Sequence, residues 1–189
     1  MKLNLGSGIN GVASLNVITM DQTGWKFIDI CKDYPAHEHY DITTGIREED
    51  NTIEEIWMGD FFEHLMRKNA KFVIQECFRV LKKDGKLRVS VPDMAVVMPL
   101  WLAHNTQLDC APSFINGAPL FNDTFVMLLD GCIWGGQDDL HGKNCEADTH
   151  YNGYTEKSLK KLAKLVGFSN INRISIHGTW FELAIEAYK

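Results

Sequence analysis

Apolar runs of strand length alternate with helical patterns along most of this chain, and that alternation restricts the fold more than any other feature. Strands apolar on both faces must be covered on both, and intervening helices supply the cover. The order therefore predicts an α/β fold on a mostly parallel sheet. The runs are residues 2–5, residues 25–30, a short segment ending His39-Tyr40-Asp41-Ile42, residues 53–58, and residues 86–91, closed by Pro92. Before the fifth run, Val73, Cys77, Val80 and Leu81 share one helical face over residues 70–83, with Asp84-Gly85 as the stop. Near the end, Thr155 is placed to cap a helix whose face is Leu159, Leu162, Ala163 and Val166, with Gly167 ending it. Two closing strands follow, over residues 171–176 and 181–187.

The first strand runs straight into Gly6-Ser7-Gly8-Ile9-Asn10-Gly11. Glycine lets the chain turn sharply and bring backbone N–H groups against a ligand that a larger residue would exclude. Gly6, Gly8 and Gly11 satisfy the G-x-G-x-x-G pattern of nucleotide-binding turns, and Asp29 ends the next strand, where a carboxylate can accept hydrogen bonds from both hydroxyls of a ribose. These two elements are common to dinucleotides and to S-adenosylmethionine. A tight turn without a ligand is the plainer alternative for the glycines.

At 189 residues the chain has the size of one domain, short for a two-domain dehydrogenase. The net charge is −6, from 19 Lys+Arg against 25 Asp+Glu, and no basic stripe is present, which argues against nucleic acid as a partner. No apolar stretch approaches the ~20 residues of a membrane span, and Met1-Lys2 leads at once into a strand without a secretory h-region, so a cytoplasmic protein is expected. The five cysteines, Cys31, Cys77, Cys110, Cys132 and Cys145, are scattered and odd in number, which is thiol usage. Cys132, His141, Cys145 and His150 fit no common zinc spacing, and no metal is expected.

The order of motifs resembles the class I S-adenosylmethionine-dependent methyltransferases, in particular the methyltransferase type 11-like branch. The resemblance covers nearly the whole chain through LNLGSG at 3–8, GWKFIDI at 24–30, Asp41-Ile42, EDNTIEEIWMGDFFEHL at 49–65, ECFRVLKKDGKLRVSVPD at 76–93 and SLKKLAKLVGF at 158–168. It implies a Rossmann-like, seven-stranded, mostly parallel sheet with helices on both faces and an antiparallel hairpin at its C-terminal edge. It further implies S-adenosylmethionine as cofactor. Gly6, Ser7 and Gly8 would approach its methionine part, Asp29 and Ile30 the ribose, Asp41 and Ile42 the adenine, and Gly59 and Asp60 the methionine end.

Two departures bear on function. The family's helical cover before the first strand is lacking here, so either the pocket is open, or an insertion over residues 93–154 folds over it, or a second subunit, in a homo-oligomer or from another partner, supplies the cover. The segment between Gly11 and Thr23 holds Ser14, Asn16, Val17 and Thr19, poor filling for the helix that should follow the glycine loop. Trp101 and Trp134 in the insertion, and Trp180 beyond it, could line an acceptor pocket, although aromatics under a long loop more often fill space. His64 follows the fourth strand and could accept a proton from a hydroxyl, with ordering of the loop as its plainer role. His150 is the second candidate base and His141 the third. Met58-Gly59-Asp60-Phe61 stands where amino-methylating enzymes carry Asn/Asp-Pro-Pro-aromatic, which favours an oxygen acceptor on a small molecule, such as a sugar or polysaccharide precursor. A non-catalytic binding or scaffold subunit and, behind it, a nicotinamide-dependent oxidoreductase are the alternatives.

Overall fold

The computed structural model describes residues 1–8, 21–106, 114–115, 118–119, 133, 149–176 and 181–189. Its strands are β1 (Lys2–Leu5), β2 (Trp25–Asp29), β3 (Glu38–His39), β4 (Ile53–Gly59), β5 (Leu81–Pro92), β6 (Phe114–Ile115), β7 (Ala118–Pro119), β8 (Ser169–Ile174) and β9 (Glu182–Tyr188). Three helices are described: α1 (Arg67–Val80), α2 (Met94–Thr106) and α3 (Glu156–Val166). Seven strands form one sheet in the order β3-β2-β1-β4-β5-β9-β8, and β6 pairs with β7 separately. Neighbours from β3 to β5 run parallel, whereas β9 is antiparallel to both β5 and β8. This is the Rossmann-like sheet with an antiparallel closing hairpin.

Alternation along each strand sorts side chains to opposite faces. Leu3, Leu5, Ile28, Ile56, Met58, Leu87 and Val89 pack beneath α1 and α3, with Val73, Ile74, Cys77, Leu159 and Ala163 completing that core. The intervening Trp25, Phe27 and Trp57 cluster on the other face. α3 has the ends its sequence calls for: the Thr155 side chain accepts from the Ser158 N–H in a capping box, and Gly167 leaves the helix at φ 121°.

Several boundaries differ from the sequence expectation. α1 ends at Val80, not at Lys83, because Leu81 turns extended, is fully buried and pairs with Ile53 of β4. The Asn51 and Thr52 N–H groups take the Arg79 and Val80 carbonyls at 3.2 and 2.9 Å, so the last helical turn is satisfied from a neighbouring loop. Asp84-Gly85 then lies inside the long strand β5, with Asp84 at φ 61°, instead of stopping the helix. The third strand is only Glu38–His39; Ile42–Thr44 forms a 3-10 turn whose N-cap is Asp41. The last two strands start at Ser169 and Glu182, displaced from the expected 171 and 181.

The expected insertion leaves and returns at one place. Asp93 and Tyr154 form a parallel bridge, and the Met94 N–H donates to the Tyr154 carbonyl at 2.9 Å. Trp101 belongs to α2, while Trp134, Trp180, Gly11 and the residues between Gly11 and Met20 lie outside the described residues, as do Cys110, Cys132, His141 and Cys145. Cys31 and Cys77 are free thiols, and Cys77 is buried. Among the described residues, no helix is long and apolar enough to cross a membrane.

Candidate active site

The strand order reverses direction between β1 and β4, and a crevice opens there beyond the carboxyl ends of the parallel strands. A cavity of about 190 Å³ occupies it, lined by residues that follow each of four strand ends: Gly6 and Gly8 after β1, Asp29 and Ile30 at the end of β2, Asp41 and Ile42 after β3, and Asp60, Phe61 and His64 after β4. Ile28, Tyr34, Tyr40, Thr43 and Leu65 complete its wall. Eight of the site residues expected from sequence thus meet in one cavity.

The glycine loop is set by contacts that only glycine permits. Gly6 has φ 66°, and a Cβ there would stand 2.0 Å from Phe61 Cδ2. Gly8 has φ 69°, but a Cβ there would meet nothing within 4 Å among the described residues. Gly6 is therefore pinned by the Phe61 ring, while Gly8 lines the cavity. The Gly6 and Ser7 N–H groups donate to the Ile28 carbonyl at 2.9 and 3.2 Å, tying the loop to β2.

Asp29 is buried and anchors the turn electrostatically. Its Oδ2 accepts from the Gly8 N–H and its Oδ1 from the Cys31 N–H, each at 2.8 Å. One hydrogen bond per oxygen among the described residues leaves acceptor capacity on both, which suits a pair of ribose hydroxyls. Asp41 uses Oδ1 to accept from the Thr43 N–H at 2.8 Å, so its carboxylate caps the 3-10 turn at the cleft wall. Beside it, burial raises the Tyr40 phenol above its ordinary value, and the Arg47 guanidinium lies 4.0 Å from the centre of the Tyr40 ring.

Two expected cofactor contacts do not line the cavity. Ser7 is buried, with its Oγ lacking a hydrogen-bond partner among the described residues. Gly59 ends β4 with the Trp57 indole against it, a Cβ there standing 2.7 Å from the ring. Gly59 thus makes room for Trp57. Asp60 opens to the cleft at φ 47°, its N–H donating to the Ser90 carbonyl at 3.1 Å and the Ser90 hydroxyl donating to Oδ1 at 3.3 Å. The surrounding walls desolvate its carboxyl and raise it above its ordinary value despite that hydroxyl.

The two candidate bases come together. His150 stacks edge-on against His64, with ring centroids 4.6 Å apart and planes at 78°. His64 lines the cleft, and His150 is not among its lining residues. The sequence reading passed over Glu63, which is fully buried and whose Oε1 lies 3.9 Å from His150 Nε2. Burial pushes the Glu63 carboxyl well above the carboxylate range, and the charges of Asp60 and Glu182 add to the shift. Its adjacency to His64 in the apolar run Phe61-Phe62-Glu63-His64-Leu65 was the available signal.

The pocket residues fit an adenosine-bearing cofactor. The unfilled space over Gly8, the unpartnered Ser7 Oγ, the spare acceptor capacity of Asp29 and the Ile30, Tyr34, Tyr40 and Ile42 walls match a ribose and an apolar base. The chain matches no protein-family model and no curated protein by sequence. Solved structures similar to it include a SAM-dependent methyltransferase from Archaeoglobus fulgidus, at 12% identity and TM-score 0.62 over 100% of this chain and 85% of that one. A possible histamine N-methyltransferase from Thermotoga maritima aligns at 10% identity and TM-score 0.53, over 100% of this chain and 81% of that one. A putative O-methyltransferase from Nostoc punctiforme aligns at 12% identity and TM-score 0.57, over 100% of this chain and 51% of that one. The chain has the class I S-adenosylmethionine-dependent methyltransferase fold.

Proposed function

We propose that the protein is an S-adenosylmethionine-dependent methyltransferase acting on a hydroxyl oxygen of a small molecule. The observation that carries this reading is the convergence of the glycine loop, Asp29, Asp41 and Asp60 on one cleft at the carboxyl ends of the strands. When bound, S-adenosylmethionine supplies an electrophilic methyl group on a sulfonium. The protein's part is then to hold the acceptor in line and to draw off its proton. Asp29 holds the ribose, Tyr40 and Ile42 flank the base, and His64, braced by the His150 ring, faces the acceptor. The juxtaposed ends of residues 93–154 support that segment as a unit that covers the acceptor side.

Calorimetry with S-adenosylmethionine, S-adenosylhomocysteine and NAD in parallel tests the cofactor, and tighter binding of NAD would overturn it. With an acceptor found by screening against labelled methyl donor, His64→Ala should leave S-adenosylhomocysteine affinity nearly intact and lower turnover by roughly a hundredfold. Equal turnover would remove His64 from the mechanism, and tight cofactor binding without transfer to any acceptor would favour a binding module.

A further inference from the structure

Glu63, His64 and His150 form a cluster that the cofactor does not account for. Their donor atoms all lie within 4.8 Å of one another. The Glu63 side chain is only 2% exposed, and neither of its oxygens has a hydrogen-bond partner among the described residues. A buried carboxyl in that state is costly whether it is charged or neutral, because even the neutral acid carries an O–H that needs an acceptor. The cost is removed if both oxygens face a cation.

The backbone holds the cluster ready for one. The Glu63 carbonyl accepts the N–H groups of Tyr151 and Asn152 at 2.9 and 3.1 Å, and the Asn152 side-chain amide donates to the Leu65 carbonyl. The segment carrying His150 is thereby clamped against the turn carrying Glu63 and His64, with the two imidazoles already 4.6 Å apart. Ligands about 2.1 Å from a shared ion stand about 3.4 Å from each other. Against that value the Glu63–His150 separation is 3.9 Å and no separation in the cluster exceeds 4.8 Å, so binding requires the side chains to draw in by about 1.4 Å at most.

We infer that Glu63, His64 and His150 bind one divalent transition-metal ion at the wall of the cleft. Two imidazoles and one carboxylate suit zinc, iron or cobalt more than magnesium or calcium, and three protein ligands leave positions open. His64 lines the cleft, which runs on to Asp60, a further carboxylate on the same wall. Resting on the methyltransferase reading, the ion's task is to hold an acceptor hydroxyl and lower its pKa, so that its proton passes to water at neutral pH. His64 then serves the deprotonation proposed above through the ion it helps to hold, and His64→Ala lowers turnover on this reading too.

The test uses the full chain, stripped with chelator and dialysed into metal-free buffer. Titration with Co²⁺ should show one equivalent bound and visible absorption bands of low-symmetry coordination, and Zn²⁺ should displace it. Glu63→Gln and His150→Asn should each weaken binding at least tenfold while near-ultraviolet circular dichroism stays that of the parent. Absence of stoichiometric binding, or parent-like Co²⁺ spectra in both folded variants, overturns the site. Should one variant fail to fold, the other with His64→Asn decides by the same criteria. S-adenosylhomocysteine affinity measured on the same samples separates the two readings: cobalt bound without the nucleoside leaves the metal site standing and sinks the cofactor, and the converse result does the reverse.

Discussion

Gly6 and Gly8 share a backbone conformation and differ in surroundings, so replacing each with alanine separates strain from packing. At φ 66° and 69° both positions lie in the left-handed region, which costs an L-residue about 1–2 kcal/mol. Gly8→Ala adds nothing to that, since its Cβ would meet no atom within 4 Å among the described residues. In Gly6→Ala the new Cβ would stand 2.0, 2.2 and 2.8 Å from Phe61 Cδ2, Cγ and Cβ. Carbon contacts settle near 3.5–4.0 Å, so the ring or the loop must move by about 1.5 Å. Overpacking of this kind costs about 1–3 kcal/mol, which brings Gly6→Ala to about 2–5 kcal/mol. Urea unfolding of both variants, of Phe61→Ala and of the Gly6→Ala/Phe61→Ala double variant measures the difference directly. The double variant should be about 1–3 kcal/mol more stable than the sum of the singles predicts, because Phe61→Ala removes the obstacle. Equal losses at Gly6 and Gly8, or strict additivity in the cycle, would refute the argument that Phe61 dictates Gly6.

Asp29→Ala removes the acceptor of two backbone N–H groups and the proposed ribose contact together, so stability should fall by about 1.5–3 kcal/mol and S-adenosylhomocysteine affinity by at least tenfold. Reduced stability with unchanged affinity would sink the ribose assignment. Arg79 donates to Glu76, Asp50 and the Ile46 and Glu48 carbonyls, a fork that lysine cannot reproduce. Arg79→Lys should therefore lower the unfolding free energy measured by urea titration by about 1 kcal/mol, a modest figure because the guanidinium is partly exposed. The Arg79 guanidinium, with the Ile46 N–H, holds the Glu76 carboxyl below its ordinary 4.5. Its stabilisation is thus complete above that value and is lost as pH falls through the lower folded one. Glu76→Gln should be less stable than the parent at pH 6, with the gap narrowing below pH 4.5 on acid titration; a gap independent of pH would contradict this.

Much of the site was readable from local chemistry. Glycines that need positive φ, a carboxylate at a strand end and a capping threonine act within a few residues of themselves, and their side-chain types disclose the backbone they require. Gly6, Gly8, Asp29, Ile30, Asp41, Ile42, Asp60 and His64 accordingly meet in the cleft. Gly59 shows the limit of that reasoning. It sits where the cofactor was expected, yet its lack of a side chain serves the Trp57 indole.

Sequence by itself determined the alternation of strands and helices, hence the parallel sheet and the end of the sheet at which a ligand can sit, because hydrophobic periodicity and turn chemistry are local properties. Tertiary structure alone decided where α1 stops, because Leu81 leaves the helix to reach Ile53 across the sheet, and a helical pattern carries no record of a partner 28 residues away. It also decided the company Glu63 keeps. A glutamate beside a histidine is unremarked in a sequence; burial, and the return of the chain at Tyr151 and Asn152 that places His150 against it, turn the pair into a site. The reason is that desolvation and proximity depend on every element packed around a group, and those elements come from distant parts of the chain.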